Sequence, residues 1–141
     1  MSAVSRVPAA SSEAALRHFE SLMQFETDCW DVHHAISNGL QDFVLIDVRG
    51  EALFDAGHIE GSVSIPHARL NERTLAHYPQ DTLFVVYCAG PHCNGTEKAA
   101  VRLARLGRPV KKMIGGVTGW QDEGFALVTG SKSERQNASY A

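Results

Sequence analysis

Short apolar runs recur along the chain and alternate with segments that have a helical pattern. The runs are bounded by Gly, Pro or Asp and are rich in β-branched residues, which is typical of β-strands. Two of them, FVLIDV and TLFVVYC, are almost continuously apolar, as expected for strands that are buried on both faces. The pattern predicts four strands, at residues 43–48, 61–66, 82–88 and 110–116.

An amphipathic helix is predicted near the start of the chain, at residues 12–23, behind a serine cap. Its apolar stripe consists of Ala15, Phe19, Leu22 and Met23. Exposed apolar patches are uncommon on monomers, so this stripe requires cover. We expect it to pack on its own domain or in a homodimer.

Two further helices are predicted from their cap residues. Asp28 is the expected N-cap of the first, and Gly39 its stop. Asn94 is the expected N-cap of the second, and Glu97 stands three positions later, as in a capping box. Alternating strands and helices predict an α/β fold, with a parallel central sheet flanked by helices on both faces.

The two ends of the chain differ in composition from its middle. Residues 1–11 are rich in Ser and Ala, and residues 129–141 are polar. Such segments bury too little apolar surface to fold alone. We therefore expect a disordered N-terminus at 1–11, an added helix at 12–23, one domain at 24–128 and a flexible tail at 129–141.

The composition narrows the class of protein. The 141 residues are 44% hydrophobic and 21% charged, with a formal net charge of −3, as in globular proteins. No basic cluster exceeds Lys111-Lys112, so no nucleic-acid partner is expected. No run approaches the ~20 apolar residues of a membrane span, so no membrane partner is expected. Three cysteines and no secretory signal favour a reducing cytoplasm.

Polar or small residues follow three of the predicted strands. They are Asp47-Val48-Arg49, the segment from Cys88 onward, and Gly115-Gly116. Ligands of parallel α/β sheets bind at the carboxyl ends of the strands. We therefore expect these segments to converge on one site.

Cys88 is the main candidate for chemistry, because it ends a buried strand just before a helix begins. The N-terminus of a helix stabilises an anion by ~0.3–1 kcal/mol and lowers the pKa of a nearby thiol. Gly90, Pro91 and Gly95 would let the backbone curl around such a thiolate. The spacing is equally compatible with a buried cysteine that only packs.

The remaining cysteines and histidines have weaker patterns. Cys93 is either incidental or a resolving thiol for oxidised Cys88, and Cys29 is expected to pack in the core. A metal site made by Cys88, His92 and Cys93 matches none of the usual ligand spacings. His58, in AGHIEG, is interpreted as fixing a turn rather than as a catalytic base.

Three motifs, in order, resemble those of the rhodanese-like domain family. LIDVRGEALFDAGHIEGSVSIP is similar to its first signature, VVYCAG to the strand that ends in its persulfide-forming cysteine, and GGVTGWQDEGFAL to its closing signature. The resemblance covers residues 24–128. It implies sulfur transfer through a persulfide on Cys88, without a metal or an organic cofactor.

The active-site loop departs from the family pattern. Cys93 stands where common members have an Arg, and the loop is longer. Without that Arg a phosphoryl group lacks its clamp, so no phosphatase activity is expected. The loop that the resemblance assigns to substrate binding consists of Ala89, Gly90, Pro91, His92, Cys93, Asn94, Gly95 and Thr96.

Four residues outside the loop are expected to support it. A structural ion pair is the favoured role for Arg49 and Glu51, ahead of contact with substrate. Asp47 is expected to cap or brace a neighbouring loop, and His58 to hold its turn.

Two hypotheses on function remain. The first is an enzyme like thiosulfate sulfurtransferase, which moves sulfane sulfur from thiosulfate or a persulfide to a thiol or cyanide acceptor. The second is a non-catalytic or redox-sensing module that uses Cys88 and Cys93.

Overall fold

The computed structural model describes residues 1–130. Its strands are β1 (Glu26–Thr27), β2 (Val44–Asp47), β3 (Ser62–Ser64), β4 (Phe84–Tyr87) and β5 (Val110–Met113). Its helices are α1 (Ser12–Phe25), α2 (Cys29–Ser37), α3 (Glu51–Ala56), α4 (Gly95–Arg105) and α5 (Gly116–Asp122), with a 3-10 helix at His67–Arg69. The flexible tail predicted at 129–141 lies outside the described residues from position 131 onward.

The strands form one parallel sheet in the order β1-β5-β4-β2-β3, which confirms the predicted α/β fold. β2 and β4 are neighbours inside the sheet, and their last residues, Asp47 and Tyr87, pair with each other. Both strands therefore end at the same edge. The segment after Asp47 leaves the sheet beside Cys88.

Side chains that alternate along β4 fill a core on each face of the sheet. Phe84 and Val86 pack with residues of α4 on one face. Val85 and Tyr87 pack with residues of α2 and α5 on the other. All four are buried, so β4 is held from both sides and its carboxyl end is a fixed position for the residue that follows.

The observed elements correct the sequence prediction at the strands and at the start of α4. The four predicted strands are shorter, and the two-residue strand β1 was missed because so short a segment has no recognisable period. Asp28 does cap α2, by accepting a 2.8 Å hydrogen bond from the Asp31 N–H. The capping box predicted for α4 is wrong: the Asn94 side chain makes no cap, and Glu97 turns towards Lys112.

Helix α1 begins after Ser11, whose hydroxyl accepts from the Ala14 N–H, and it continues two residues beyond the predicted end. It contacts β5, yet Phe19 and Met23 of its stripe remain 60% and 68% exposed. A homodimer through this surface stays a prediction, as does disorder at residues 1–11. Within residues 1–130, no helix is both long and apolar enough to cross a membrane.

Candidate active site

Cys88 is the first residue after β4 and is 5% exposed. Its position is fixed by the strand on one side and by α5 on the other. The Val117 N–H donates to the Cys88 carbonyl at 3.0 Å. The backbone at the sulfur-bearing residue is thus anchored before the loop begins.

The loop turns back on itself between Gly90 and Cys93. The Cys93 N–H donates to the Gly90 carbonyl at 3.0 Å, which closes a turn with Pro91 and His92 at its centre. Proline favours the second position of such a turn, because its ring fixes φ. The turn returns the chain towards its start, so that residue 93 faces residue 88.

Cys88 and Cys93 are joined as a disulfide, with their Cα atoms 6.6 Å apart. That separation lies within the usual range for a disulfide. The structure therefore joins Cys93 to Cys88, while a role for Cys93 in resolving oxidised Cys88 stays a prediction. Cys29 is buried in the core formed with α2 and α5, as predicted.

Helix α4 begins directly against the two sulfur atoms. A Cβ atom built on Gly95, the first residue of α4, would stand 2.8 Å from Cys88 Sγ and 3.5 Å from Cys93 Sγ. No residue with a side chain fits there without displacing a sulfur. The first N–H groups of an α-helix have no partner within the helix, and Asn94 supplies no side-chain cap to those of α4.

The start of α5 closes the loop from the opposite side. The Thr118 N–H and its hydroxyl both donate to the Ala89 carbonyl, at 2.9 and 3.1 Å. Gly116 has φ of 60°, and a Cβ there would stand 2.5 Å from the Cys88 carbonyl oxygen. A glycine is therefore required at position 116 for both conformation and space.

A pocket of about 450 Å³ opens beside the disulfide. Two of the three segments predicted to converge do so here, the cysteine loop and Gly115-Gly116, whereas Asp47 and Arg49 stay outside. The lining consists of Cys88, Gly90, Pro91, Cys93, Thr96, Glu97, Lys112, Met113, Ile114, Gly115 and Gly116. His92 and Asn94 of the predicted loop are exposed and lie outside this lining.

The charges of the pocket belong to a network that the sequence did not reveal. Lys112 Nζ donates to Glu97 Oε1 at 2.9 Å and lies 3.8 Å from Glu26 Oε1. The bond to Glu97 raises the pKa of Lys112. Burial raises the pKa of Glu97. Hydrogen bonds from Lys112 and Thr96 lower this pKa by more than burial raises it, so the net shift is downward. Lys112 and Glu97 are therefore both charged near neutral pH.

Asp47 and Arg49 form a buried ion pair outside the pocket. The Asp47 side chain is fully buried and accepts three hydrogen bonds from the Arg49 guanidinium, the shortest being 2.8 Å. Arg49 also donates to the Gly57 carbonyl at 2.6 Å. Burial lowers the pKa of Arg49, but Asp47 raises it by more. Asp47 thus fixes the Arg49 side chain after β2, and its role as a brace for a neighbouring loop stays a prediction.

Glu51 and His58 are also placed in structural positions. Glu51 pairs with Arg69 at 3.0 Å in an exposed ion pair, so Arg49 and Glu51 belong to separate pairs. His58 is 1% exposed, stacks on the Phe54 ring and has its Nδ1 2.7 Å from the Phe54 carbonyl. These contacts hold the His58 ring in place, and its turn-fixing role stays a prediction.

Sequence reasoning missed three contributors to the site: Lys112, Glu97 as its partner, and Thr118. The predicted strands could have indicated Lys112. If β5 is placed beside β4 in a parallel sheet, Lys112 pairs with Val86, which stands two residues before Cys88. Within residues 1–130, no group of three or more Cys, His, Asp or Glu side chains is arranged to hold a metal ion.

These features define an α/β domain with a cysteine loop at the carboxyl edge of its sheet. A model of the Rhodanese-like domain family matches residues 31–123. The chain therefore belongs to the rhodanese-like domain family.

The chain is similar to one curated protein and to several solved structures. It is 38% identical over 91 residues to the HTH-type transcriptional regulator Rv0324 of Mycobacterium tuberculosis (strain ATCC 25618 / H37Rv), with 64% of this chain and 39% of that protein covered. This chain thus spans about two fifths of that relative. The BH2092 protein from Bacillus halodurans is 34% identical, with a TM-score of 0.80 and 83% and 85% of the two chains covered.

A more distant neighbour shares the fold. The thiosulfate sulfurtransferase from Pseudomonas aeruginosa is 24% identical, with a TM-score of 0.64, and the match covers 84% of this chain and 22% of that one.

Proposed function

We propose that this protein is a sulfurtransferase, in which Cys88 accepts sulfane sulfur from a small donor and carries it as a persulfide. The contact of Gly95 with Cys88 Sγ is the observation that supports this most directly. It brings the uncapped start of α4 against the sulfur atom, where N–H groups and the helix dipole stabilise an anion.

The first half-reaction starts from the reduced, dithiol form. The Cys88 thiolate attacks the outer sulfur of a donor such as thiosulfate; the new S–S bond forms as the donor S–S bond breaks, and sulfite leaves with the bonding electrons. The persulfide anion that remains on Cys88 is stabilised by the first N–H groups of α4. This is covalent catalysis, which divides one difficult transfer into two easier ones.

In the second half-reaction a nucleophile takes the outer sulfur from Cys88. Cyanide would leave as thiocyanate, and a thiol would leave as a persulfide. The pocket beside the sulfurs supplies the space for both donor and acceptor. The proposed reaction requires no metal ligand among the lining residues. We further propose that the protein works in a reducing cytoplasm, where the dithiol form predominates.

The test is the intact mass of reduced protein after mixing with thiosulfate, measured on Cys93→Ser and on the matched variant Cys88→Ser. Cys93→Ser is expected to gain the mass of one sulfur atom and to lose it as thiocyanate when cyanide is added. Cys88→Ser is expected to gain nothing. Sulfur loading of Cys88→Ser, or no loading of Cys93→Ser, contradicts the proposal.

The disulfide favours a second candidate, a redox-sensing module. Here peroxide oxidises Cys88 to a sulfenic acid with loss of water, and Cys93 displaces a second water to form the disulfide. The M. tuberculosis relative is named a transcriptional regulator, which would suit a sensing domain.

Reaction of reduced protein with peroxide, followed by peptide mapping, tests this candidate. Rapid formation of the Cys88–Cys93 disulfide, in a protein whose Cys93→Ser variant takes no sulfur from thiosulfate, would favour the sensor. Oxidation of Cys88 to sulfinic acid at the same rate in wild type and Cys93→Ala would contradict it.

A further inference from the structure

Cys93 is a second sulfur-bearing residue beside Cys88, and the family's ordinary reaction assigns no role to such a residue. A persulfide on Cys88 normally waits for an acceptor from solution. In this protein a second thiol is already within bonding reach of the same sulfur atom. The turn closed by the Cys93 N–H and the Gly90 carbonyl delivers it there.

We propose that Cys93 is a catalytic residue that resolves the Cys88 persulfide and expels its outer sulfur as hydrosulfide. The inference rests on the proposed sulfur transfer and names its internal acceptor. The product of one turnover would be the Cys88–Cys93 disulfide, which is the form that the structure contains.

The step balances without an additional oxidant. The Cys93 thiolate attacks Cys88 Sγ, the inner sulfur of the persulfide; the Cys88–Cys93 bond forms and the bond to the outer sulfur breaks. The outer sulfur leaves with the electron pair, takes one proton from solvent and departs as HS⁻. Over both steps, two thiols and one thiosulfate give one disulfide, one sulfite, one hydrosulfide and one proton.

The local structure suits this step in two ways. Both sulfur atoms lie against the start of α4, since a Cβ on Gly95 would contact each of them, so the same helix end favours both thiolates. The attacking thiol is also part of the same short loop. Intramolecular attack from a well-oriented group corresponds to a very high effective concentration, which a free acceptor in solution does not reach.

The cycle needs a reductant to restart. An external dithiol, small or protein-borne, would reduce the Cys88–Cys93 disulfide by thiol–disulfide exchange and return both thiols. Both cysteines line the pocket, but Cys93 is only partly buried whereas Cys88 is 5% exposed, so we expect the reductant to attack at Cys93. The overall reaction would convert a sulfane sulfur donor and a dithiol into sulfide and a disulfide.

A single-turnover experiment tests the inference. Reduced protein, freed of reductant, is mixed with excess thiosulfate and no added thiol, and sulfite, sulfide and intact mass are followed. Wild type is expected to release one sulfite and one sulfide per chain and to end two hydrogen atoms lighter. Cys93→Ser and Cys93→Ala are expected to release one sulfite, no sulfide, and to keep one added sulfur.

Two controls isolate the intramolecular step. Cys29→Ser is expected to behave as wild type, because Cys29 packs in the core. The rate of sulfide release should not change with protein concentration. Addition of dithiothreitol should then restore a second turnover in wild type.

The experiment distinguishes failure of the role proposed for Cys93 from failure of the proposed sulfur transfer. Wild type that keeps the added sulfur and releases no sulfide, or Cys93 variants that release sulfide at the wild-type rate, overturns the role of Cys93 and leaves sulfur transfer intact. Absence of sulfite from wild type and from both Cys93 variants overturns sulfur transfer itself, and the inference with it.

Discussion

Two neighbouring strands of the sheet end at the same edge, yet the segments that follow them are built on opposite principles. After β2, Asp47 and Arg49 neutralise each other in a buried pair, and Arg49 is further bound to the Gly57 carbonyl. After β4, the segment carries no charged side chain; it is bonded to α5 through the Cys88 and Ala89 carbonyls, and its sulfur atoms lie beside a pocket.

The two segments therefore suit different roles: the segment after β2 is structural, and the segment after β4 is the one to which we assign the reaction. The charges of Asp47 and Arg49 are paired with each other inside the protein, and both residues lie outside the lining of the pocket. The start of α4 has no side-chain cap from Asn94, and the two sulfur atoms lie close to its first residue, Gly95. If the proposed function is right, the more strongly charged of the two segments is the one that takes no part in the reaction.

The largest expected effect comes from breaking the Asp47–Arg49 pair. Asp47→Ala leaves the guanidinium buried and without its counter-ion, which typically costs about 3–5 kcal/mol of the free energy of unfolding. Urea denaturation measures this loss. Sulfur loading per folded molecule should be unchanged, because the pair lies outside the pocket.

The exposed Glu51–Arg69 pair provides the control. Glu51→Ala should cost only ~0.2–1 kcal/mol, as is usual for ion pairs in water. If both variants lose the same stability, the Asp47–Arg49 pair is not the brace described above.

A second prediction compares the thiols of the edge with the thiol of the core. Burial, followed by the charges of Asp28 and Glu123, raises the pKa of Cys29 from 9.0 to about 11. A shift of two pH units leaves about a hundredfold less thiolate near pH 8, and the thiolate is the reactive form.

Iodoacetamide labelling of the reduced protein at about pH 8, followed by peptide mapping, checks this difference. Cys88 and Cys93 should be modified about a hundredfold faster than Cys29, and the Cys29→Ser variant should show unchanged labelling of the pair. Comparable labelling rates at Cys29 and Cys93 would contradict the prediction that the Cys29 thiol has the higher pKa.

A third prediction adds one carbon at the start of α4. Gly95→Ala places a Cβ against Cys88 Sγ, so the sulfur must move away from the N–H groups. We expect the rate of sulfur loading to fall about tenfold or more, which corresponds to ~1.4 kcal/mol in the barrier. The measurement is the rate of sulfite release with thiosulfate.

Gly50→Ala is the matched variant, because Gly50 also stands at the start of a helix and has nothing within 4 Å of a built Cβ. Its loading rate should equal that of wild type. Equal rates for Gly95→Ala and wild type would show that the contact with Cys88 does not matter for loading.

The sequence predicts the fold more completely than the site for a physical reason. Strands such as Phe84–Tyr87 are specified locally, by a run of β-branched and aromatic residues that only a doubly buried strand accommodates. The cap at Asp28 is local as well. These features depend on neighbours in sequence and are therefore readable from it.

The site depends on contacts between distant segments. Lys112 reaches Glu97 across 15 positions, and Thr118 reaches the Ala89 carbonyl across 29. Asn94 illustrates the reverse error: its type and position suit a cap, but its side chain makes no capping bond. Local sequence propensity does not determine which partner a polar side chain bonds in the folded protein.

The smallest expected effect concerns the charge of the pocket. Glu97 lines the pocket together with Lys112 and neutralises its charge. Glu97→Gln removes one negative charge and leaves Lys112 freer to attract an anionic donor. We expect kcat/KM for thiosulfate to rise about two- to fivefold, equivalent to ~0.4–1 kcal/mol for an ion pair exposed to water.

Three further measurements sharpen this prediction. The pKa of Glu97 lies below its usual value of 4.5, so the carboxylate is charged at all higher pH and the gain should be the same at about pH 6 and about pH 8. The gain should shrink as salt is added, since screening weakens exposed charges. Glu72→Gln, an exposed carboxylate outside the lining, should leave kcat/KM unchanged. A fall in kcat/KM for Glu97→Gln would instead mean that Lys112 is useful only when Glu97 holds it in place, and that the pocket, like the segment after β2, depends on a completed ion pair.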